Sequence, residues 1–336
     1  MIMLKANSKF VTLIALAFMF VFLLCVCTGS VYIHPSKALG ALFGFQKPGD
    51  SMTNIIKNVR VPRVICAALI GASLSLCGAS MQGMLKNPLA DGSTMGVSSA
   101  ASLGAVLAIA LGINTNAIVF NATTVLAVVF AFVYMLIIIG ITYRLDQFLS
   151  TNTIILMGIV FSTFANSMIT LIIAFADRQI AAVTFWLMGS MQGRDYGDAM
   201  LLACALIGAS VYILSHSREL NAFAIGEDNA RHIGVDVKRI RLGLMISVSI
   251  LMGVCVSVGG SIGFVGLMIP HIARILTGSN HHTLLPVSLA LGAIFLMIAD
   301  LLCRVIIIPL EMPIGVITSI AGSIMFVYIF VKFRKA

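Results

Sequence analysis

Long apolar runs separated by short polar segments follow one another along almost the whole chain. Because a helix needs about 20 apolar residues to cross a bilayer, the runs predict ten membrane-spanning helices. They lie near residues 10–30, 64–84, 94–113, 117–142, 152–175, 197–216, 240–258, 262–275, 283–302 and 313–332. The eighth run is short, and the first is too long for the apolar part of a typical secretory signal. We therefore expect an all-α polytopic membrane protein whose first run is a spanning helix.

The stretch from Gly259 to Arg274 places glycines, a proline and charged residues inside an apolar region. Three of its four glycines, at 259, 263 and 266, and Pro270 recur at helical spacing, so a helix here would have one face almost free of side chains. Pro270 also leaves the carbonyl of Gly266 without its helical donor. In lipid such a carbonyl needs a partner, so we expect this helix to lie against other helices or a cavity. On the glycines alone, a merely tight helix contact explains the pattern equally well.

Composition places the chain in a membrane rather than in water. Of its 336 residues, 60% are hydrophobic and 10% charged, and the mean hydropathy is +1.08, whereas soluble domains are about 45–50% apolar. The net charge of +9 comes from residues scattered in short loops, so it does not indicate a nucleic-acid partner. With the N-terminus inside, thirteen Lys and Arg fall in the cytoplasm and eight outside, which together make 21. This excess predicts that both termini are cytoplasmic.

The seven cysteines and the six histidines show no metal-ligand spacing, and we interpret the cysteines as packing residues. A Walker A sequence, an HExxH motif and a GxSxG motif are all missing from the sequence. The acidic residues within the predicted spans lie close to span ends, and Asp300 is near an outer end, one turn before Arg304. Because ion-coupled carriers keep polar or ionisable sites near the bilayer midplane, we expect the driving force to come from another chain.

A weak internal repeat is found when the sequence is shifted by 182 residues. It superimposes Gly71 on Gly253, Gly78 on Gly260 and Pro88 on Pro270. The matched segments lie five predicted spans apart, so they would cross the membrane in opposite directions, as in transporters with inverted repeats. A chance match between glycine-rich helices is the alternative.

The polar stretch from Ser217 to Arg241 is the longest with helical character. Five basic minus four acidic residues give it a net charge of +1, so it is not a lipid-binding polybasic patch. Residues 222–225 and 230–233 predict two short helices, which Gly226 and Gly234 end. Two short projecting helices suit docking to a soluble partner, and a solvated connector is the alternative.

Several motifs together resemble the FecCD-like permeases, the membrane subunits of ABC importers for ferric siderophores, haem and cobalamin. The main one is Gly-Ser-Ile-Gly-Phe-Val-Gly-Leu-Met-Ile-Pro-His-Ile-Ala-Arg at 260–274. Others extend the resemblance over residues 55–325: Arg60-Val-Pro-Arg63, Gly71-Ala72, Gly78, Gln82, Asn87-Pro-Leu-Ala90, Trp186–Ser190, Ile225–Val235, Ala299–Arg304 and Glu311–Gly315. The pattern departs from the family at Gly92, where a proline is common, and at Gly322-Ser-Ile-Met-Phe326, where Gly-x-Pro-Phe is usual.

The resemblance implies a type II ABC importer permease formed by one transmembrane domain over residues 1–336, with a cytoplasmic coupling segment at 217–238. The implied partners are two ATP-binding subunits, a second permease subunit that is identical or a related paralogue, and an extracytoplasmic substrate-binding protein. ATP and Mg²⁺ would be bound by the ATP-binding subunits, with no cofactor, metal or catalytic site in this chain. The implied location is the bacterial cytoplasmic membrane.

The resemblance also gives roles to individual residues. Receivers for acidic residues of the binding protein would be Arg60, Arg63 and Arg304. The contact with the ATP-binding subunits would involve Gly226, Glu227, Ala230, Arg231 and Gly234. The cytoplasmic exit would be narrowed by Asn87, Leu89, Ser150, Thr151 and Asn152. The expected cargo is an iron chelate, most of all a ferric siderophore, with haem and cobalamin open. An ion-coupled secondary transporter and a structural or receptor-like membrane protein are the other hypotheses.

Overall fold

The computed structural model describes residues 8–29, 31, 33–42, 51–113, 121–146, 150–176 and 179–334. Regular structure within these ranges is entirely helical. The helices in chain order are α1 (Ser8–Cys27), α2 (Pro35–Leu42), α3 (Ser51–Asn54), a π-helical turn (Ile55–Arg60), α4 (Val61–Leu85), α5 (Val97–Ala110), α6 (Ala122–Leu145), α7 (Thr151–Phe175), α8 (Ile180–Leu187), α9 (Tyr196–Ser215), α10 (Ser217–Ile225), α11 (Glu227–His232), α12 (Val237–Gly259), α13 (Val265–Thr277), α14 (His281–Val305) and α15 (Ile314–Arg334).

Each of the ten predicted spans contains one apolar helix. Seven of these, among the described residues, are long and apolar enough to cross a membrane: α1, α4 with its preceding turns, α6, α7, α9, α12 and α14. The other three, α5, α13 and α15, have shorter apolar stretches. The short helices α2, α3 and α8 were not predicted, because a run of eight or fewer residues gives little hydropathy signal.

The centre of the bundle is α4, in which almost every residue is buried. It packs against α9, α12, α13 and α14. A Cβ atom at Gly71 would overlap the carbonyl oxygen of Gly292 in α14, and one at Gly78 would overlap that of Gly266 in α13. Glycine at these positions lets the backbones approach more closely than side chains would allow, which is the usual way membrane helices pack tightly.

The expected single helix through Gly259 to Arg274 is wrong in its first part. Helix α12 ends at Gly259, residues 260–264 are not helical, and α13 begins at Val265. Gly260 has a φ of 73°, a conformation that L side chains rarely adopt. The chain breaks here because it meets another loop: the Ser190 N–H donates to the Gly259 carbonyl at 3.1 Å. The glycines of this stretch therefore do not share one helical face.

The expected partner for the Gly266 carbonyl is present. Pro270 lies inside α13 and cannot donate to it. Instead, the side chain of Gln82 in α4 donates from Nε2 to the Gly266 oxygen at 3.3 Å and to the Leu267 oxygen at 3.2 Å. The proline is thus accommodated by a neighbouring helix, as predicted for a span in lipid.

The 182-residue repeat does not hold position by position. Gly71 and Gly253 both lie in helices, but Gly78 lies inside α4 whereas Gly260 lies beyond the end of α12. Pro88 follows α4 in a turn, whereas its counterpart Pro270 lies inside a helix. The inverted relation between α4 and α12 remains a prediction.

The two departures from the family pattern are accommodated locally. Gly92 packs against the Met252 side chain, which would collide with an added Cβ. Gly322 lies inside α15 and leaves room for Phe264, the residue before α13. Six of the seven cysteines are buried, in agreement with a packing role, whereas Cys204 is exposed on α9.

Candidate functional sites at the two ends of α14

A buried ion-pair network lies at the end of α14. The Arg63 guanidinium contacts Asp300 at 2.8 Å and Glu311 at 2.9 Å. Asp300 also pairs with Arg304, one turn later in α14, at 3.1 Å. Arg63 and Asp300 are 7% and 1% exposed, so the charges are almost completely removed from solvent. A buried charge is tolerated only with close partners of opposite sign, and this network provides them.

Arg60 and Arg304 cap the C-terminal end of α1. The Arg60 guanidinium donates to the carbonyl oxygens of Val26 and Cys27, both at 2.9 Å. The Arg304 Nη1 donates to the carbonyls of Cys25 and Thr28, both at 3.1 Å. The last carbonyls of a helix have no partner within it, so these two arginines supply the donors that the end of α1 lacks.

The three arginines predicted to receive a binding protein therefore share one site, which we call the arginine cluster: Arg60, Arg63, Arg304, Asp300 and Glu311. Three positive minus two negative charges leave it with a net +1. The sequence placed Arg304 one turn after Asp300, and the two side chains do form an ion pair, but it gave no sign that all three guanidinium groups are buried and bonded within the chain. Glu311 is the accessible carboxylate of the cluster, with its side chain 30% exposed. Docking to a partner remains a prediction.

The coupling segment lies at the opposite end of α14. Helices α10 and α11 correspond to the predicted short helices at 222–225 and 230–233, but both start earlier, and α11 ends one residue sooner, at His232. Gly226, between them, has a φ of 139°, which allows the sharp turn. Leu220 and Phe223 are fully buried and fix α10 to the bundle, where it packs on α4 and α14.

The predicted coupling residues take different positions. Glu227 forms an ion pair at 2.5 Å with Arg241 of α12, a fully buried side chain, so it faces its own chain. Ala230 is also fully buried and anchors α11, whereas Arg231 is exposed. Gly234 ends the segment with a φ of 88°. Of the side chains predicted to contact the ATP-binding subunit, only Arg231 faces solvent in this segment.

Sequence reasoning missed two residues of this surface. Ile225 and Ile233 are 72% and 69% exposed, beside charged residues of α10 and α11. Ile225 is the last residue of α10 and Ile233 directly follows α11, so both lie at helix ends outside the packed faces. Large exposed apolar side chains on a polar segment indicate a contact surface. A signal was present, because each isoleucine directly precedes one of the two glycines that end the helices.

The predicted exit residues lie in two short segments. Asn87 folds the turn after α4, where its Oδ1 accepts the Leu89 N–H at 2.9 Å and leaves Leu89 52% exposed. Next in this loop, the buried Asp91 carboxylate accepts the backbone N–H groups of Ser93 and Thr94, both at 3.0 Å. Burial raises the pKa of the Asp91 carboxyl, although these hydrogen bonds partly oppose the shift.

The second exit segment precedes and begins α7. The Ser150 N–H donates to Asp146 Oδ2 at 2.8 Å, and the Ser150 hydroxyl contacts that of Thr153 at 2.9 Å. Thr151 starts the helix and Asn152 is exposed. Both segments are therefore ordered helix ends, and their role in closing an exit remains a prediction.

A stripe of polar residues follows the exposed face of α7. It comprises Thr163, Asn166, Ser167 and Thr170. Each hydroxyl donates to the backbone carbonyl four residues earlier, at 2.9–3.0 Å. The Asn166 carboxamide makes no hydrogen bond to any described residue. An amide without a hydrogen-bond partner is costly against lipid, so this face suits contact with water or another protein better than contact with lipid.

Comparisons with known proteins agree with this architecture. Residues 16–332 match the model of the FecCD transport family. The chain belongs to that family. The ABC transporter permease protein YvrB of Bacillus subtilis (strain 168) is 40% identical to this FecCD protein, over 98% of this chain and 96% of YvrB. The vitamin B12 import system permease protein BtuC of Citrobacter koseri is 32% identical, over 98% of this chain and 96% of BtuC.

A solved structure supports the fold of this FecCD protein. It shows an ABC transporter assigned to the metal-chelate type in an inward-facing conformation, with a TM-score of 0.86 and 25% identity. The match covers 97% of this chain and 100% of the other. This FecCD protein is therefore a multi-pass ABC importer permease with the type II fold.

Proposed function

We propose that this permease forms half of a pathway that imports a metal chelate, driven by ATP hydrolysis in two partner subunits that bind ATP and Mg²⁺. The coupling segment carries this proposal, because Ile225 and Ile233 expose apolar surface on a polar segment outside the spans. A second permease subunit, identical or paralogous, completes the pathway, and a binding protein delivers cargo at the arginine cluster. The membrane is the bacterial cytoplasmic membrane, with both termini in the cytoplasm.

The polar stripe on α7 supports a role of this helix in the pathway. Three of its four members satisfy their hydroxyls within the helix, so the face is only weakly polar. A weakly polar wall suits cargo that has to leave once an exit opens, because strong binding would hold it back. Asn166 offers the strongest polar group, an amide that could contact water or passing cargo.

The proposed cargo is a ferric siderophore, with cobalamin as the second candidate. A transporter assigned to the metal-chelate type is among the structural relatives, which supports the first. Vitamin B12 import proteins are among the sequence relatives, which supports the second. Haem is the third compound to test. Family membership argues against the ion-coupled secondary transporter that the sequence left open.

Reconstitution tests this function directly. The chain would be placed in liposomes with its ATP-binding subunits and binding protein, and supplied separately with a labelled ferric hydroxamate siderophore, haem and cyanocobalamin. We expect uptake of one probe that requires ATP. Uptake driven by an ion gradient without ATP would refute the proposal.

Two variants test the docking surface in the same system. Replacing Ile225 and Ile233 by serine should weaken copurification of the ATP-binding subunits, because it removes exposed apolar contact area. Replacing Ile207 by serine is the matched control, since Ile207 is 65% exposed on α9 outside this segment. Equal loss in both variants would contradict a specific docking role.

A further inference from the structure

Asn221 of α10 is bonded to the start of α14 through three hydrogen bonds. Its Oδ1 accepts the His281 backbone N–H at 2.8 Å and meets His281 Nδ1 at 2.8 Å. Its Nδ2 donates to Asn280 Oδ1 at 2.9 Å. A backbone N–H can only donate, which fixes the carboxamide orientation, so His281 Nδ1 must carry a proton. Every polar atom of this side chain is thus used to hold α10 against α14.

These bonds complete the end of a spanning helix. The first N–H groups of a helix have no partner within it. At the start of α14, the Asn280 side chain accepts the His282 N–H at 3.0 Å. The N–H of His281, one residue earlier, is donated to the Asn221 side chain. The His281 ring is also packed against Gly83 of α4, where a Cβ would overlap its Nε2. The coupling segment therefore supplies a cap that α14 does not provide for itself.

The same helix carries Asp300 and Arg304 of the arginine cluster at its other end. Nineteen residues separate His281 from Asp300, which corresponds to about 28 Å of helix at 1.5 Å per residue. We propose that Asn221 is a positioning residue that transmits movement of the coupling segment to α14 and thereby to the arginine cluster. This inference rests on the proposed function, because it requires an ATP-binding subunit on the coupling segment.

Hydrogen exchange on the purified full chain in detergent tests the bonds without any partner. Asn221→Ala should accelerate exchange of α10 and of the His281 and His282 amides by about tenfold, because three bonds are lost. Asn229→Ala is the matched control, since its side chain donates only within the segment, to the Ile225 carbonyl at 3.2 Å. Unchanged exchange in Asn221→Ala would overturn the proposal.

Coupling is then measured in the reconstituted transporter, as cargo imported per ATP hydrolysed, with the probe that the wild type transports. Asn221→Ala should lower this ratio by about fivefold or more, the usual lower range for coupling between sites. The control in this assay is Asn121→Ala, an exposed residue before α6 whose side chain makes no capping hydrogen bond, and it should stay within about twofold of wild type. Asn221→Asp keeps the acceptor for both His281 donors and should restore at least half of the ratio on a logarithmic scale.

Two results would count against the coupling role in different ways. Faster exchange in Asn221→Ala together with a wild-type ratio would show that the bonds are structural only and would overturn it. A wild-type transporter that imports none of the three probes with ATP would overturn the proposed function and the coupling role with it. The exchange result would still decide whether Asn221 holds α10 to α14.

Discussion

A guanidinium group buried among helices needs carboxylates within reach, and Arg63 has two of them, Asp300 and Glu311. Its planar fork allows separate nitrogens to meet the two acids, which a lysine ammonium could not do in the same geometry. Hydropathy alone predicts such an arginine at the membrane interface in contact with water. The structure places it inside, where it joins α4, α14 and the segment before α15.

We expect Arg63→Ala to destabilise the protein by about 3 kcal/mol, the lower end for breaking a buried pair, because Arg304 remains bonded to Asp300. Arg63→Lys should lower the free energy of unfolding by about half as much, because lysine keeps the charge but cannot contact both carboxylates. The measurement is thermal unfolding of the purified chain in detergent.

Glu311→Gln is the control for this prediction, since its side chain is 30% exposed and glutamine keeps an acceptor for Arg63. It should cost less than about 1 kcal/mol, as exposed pairs do. If Arg63→Ala unfolded at the same temperature as the wild type, the cluster would not stabilise the fold. Charge reversal at Arg63 would then test docking of the binding protein without a change in stability.

At the scale of helices, the sequence predicted most of the fold because each span needs a long apolar run. Gly226 and Gly234 likewise predicted where α10 and α11 end. The predicted spans left a gap between residues 258 and 262, but the glycine spacing also suggested a helix through residues 259–264, because glycines at helical spacing look the same in a tight helix and in a loop that crosses another loop. That loop comes from residues 188–190, about 70 positions away, which no local pattern reports.

Close helix packing at Gly78 gives a prediction at this scale. Gly78→Ala should destabilise the protein by about 2–3 kcal/mol, as overpacking does, because the new methyl group would overlap the backbone of α13. Gly140→Ala is the matched control in α6, where an added Cβ meets nothing within 4 Å. Its effect on thermal unfolding should be neutral or slightly stabilising. Equal melting of the two variants would refute close packing at Gly78.

The ion pair between Glu227 and Arg241 gives a second prediction at the scale of helices. Glu227→Ala should lower cargo imported per ATP, because it releases α11 from the membrane helix α12 and leaves Arg241 buried without its carboxylate. The exchanged variant, Glu227→Arg with Arg241→Glu, should recover part of the loss. Asp228→Ala is the control, since Asp228 is the exposed neighbour in the same first turn. No recovery in the exchanged variant, with normal folding, would argue against a direct pair.

For the whole molecule, sequence patterns located the arginine cluster and the coupling segment, but they did not predict which residues contact one another there. Arg63 and Asp300 are 237 residues apart, and Asn221 and His281 are 60 apart, so neither contact has a local signal. The family motifs nevertheless pointed to both regions. The polar stripe on α7 was missed because the hydropathy of the span averages over all faces of the helix, and burial was needed to show which face is exposed.

The stripe predicts which side of the bundle meets water. In a background with Cys204→Ser, which removes the exposed native thiol on α9, cysteine would be placed at Asn166 and at Thr170. We expect a membrane-impermeant thiol reagent to label both in the assembled transporter, because a pathway admits water. Ile207→Cys on α9, which is 65% exposed and lies among mostly apolar residues, should stay unlabelled in lipid. If Asn166→Cys and Thr170→Cys were as protected as Ile207→Cys, the stripe would not line a water-filled pathway.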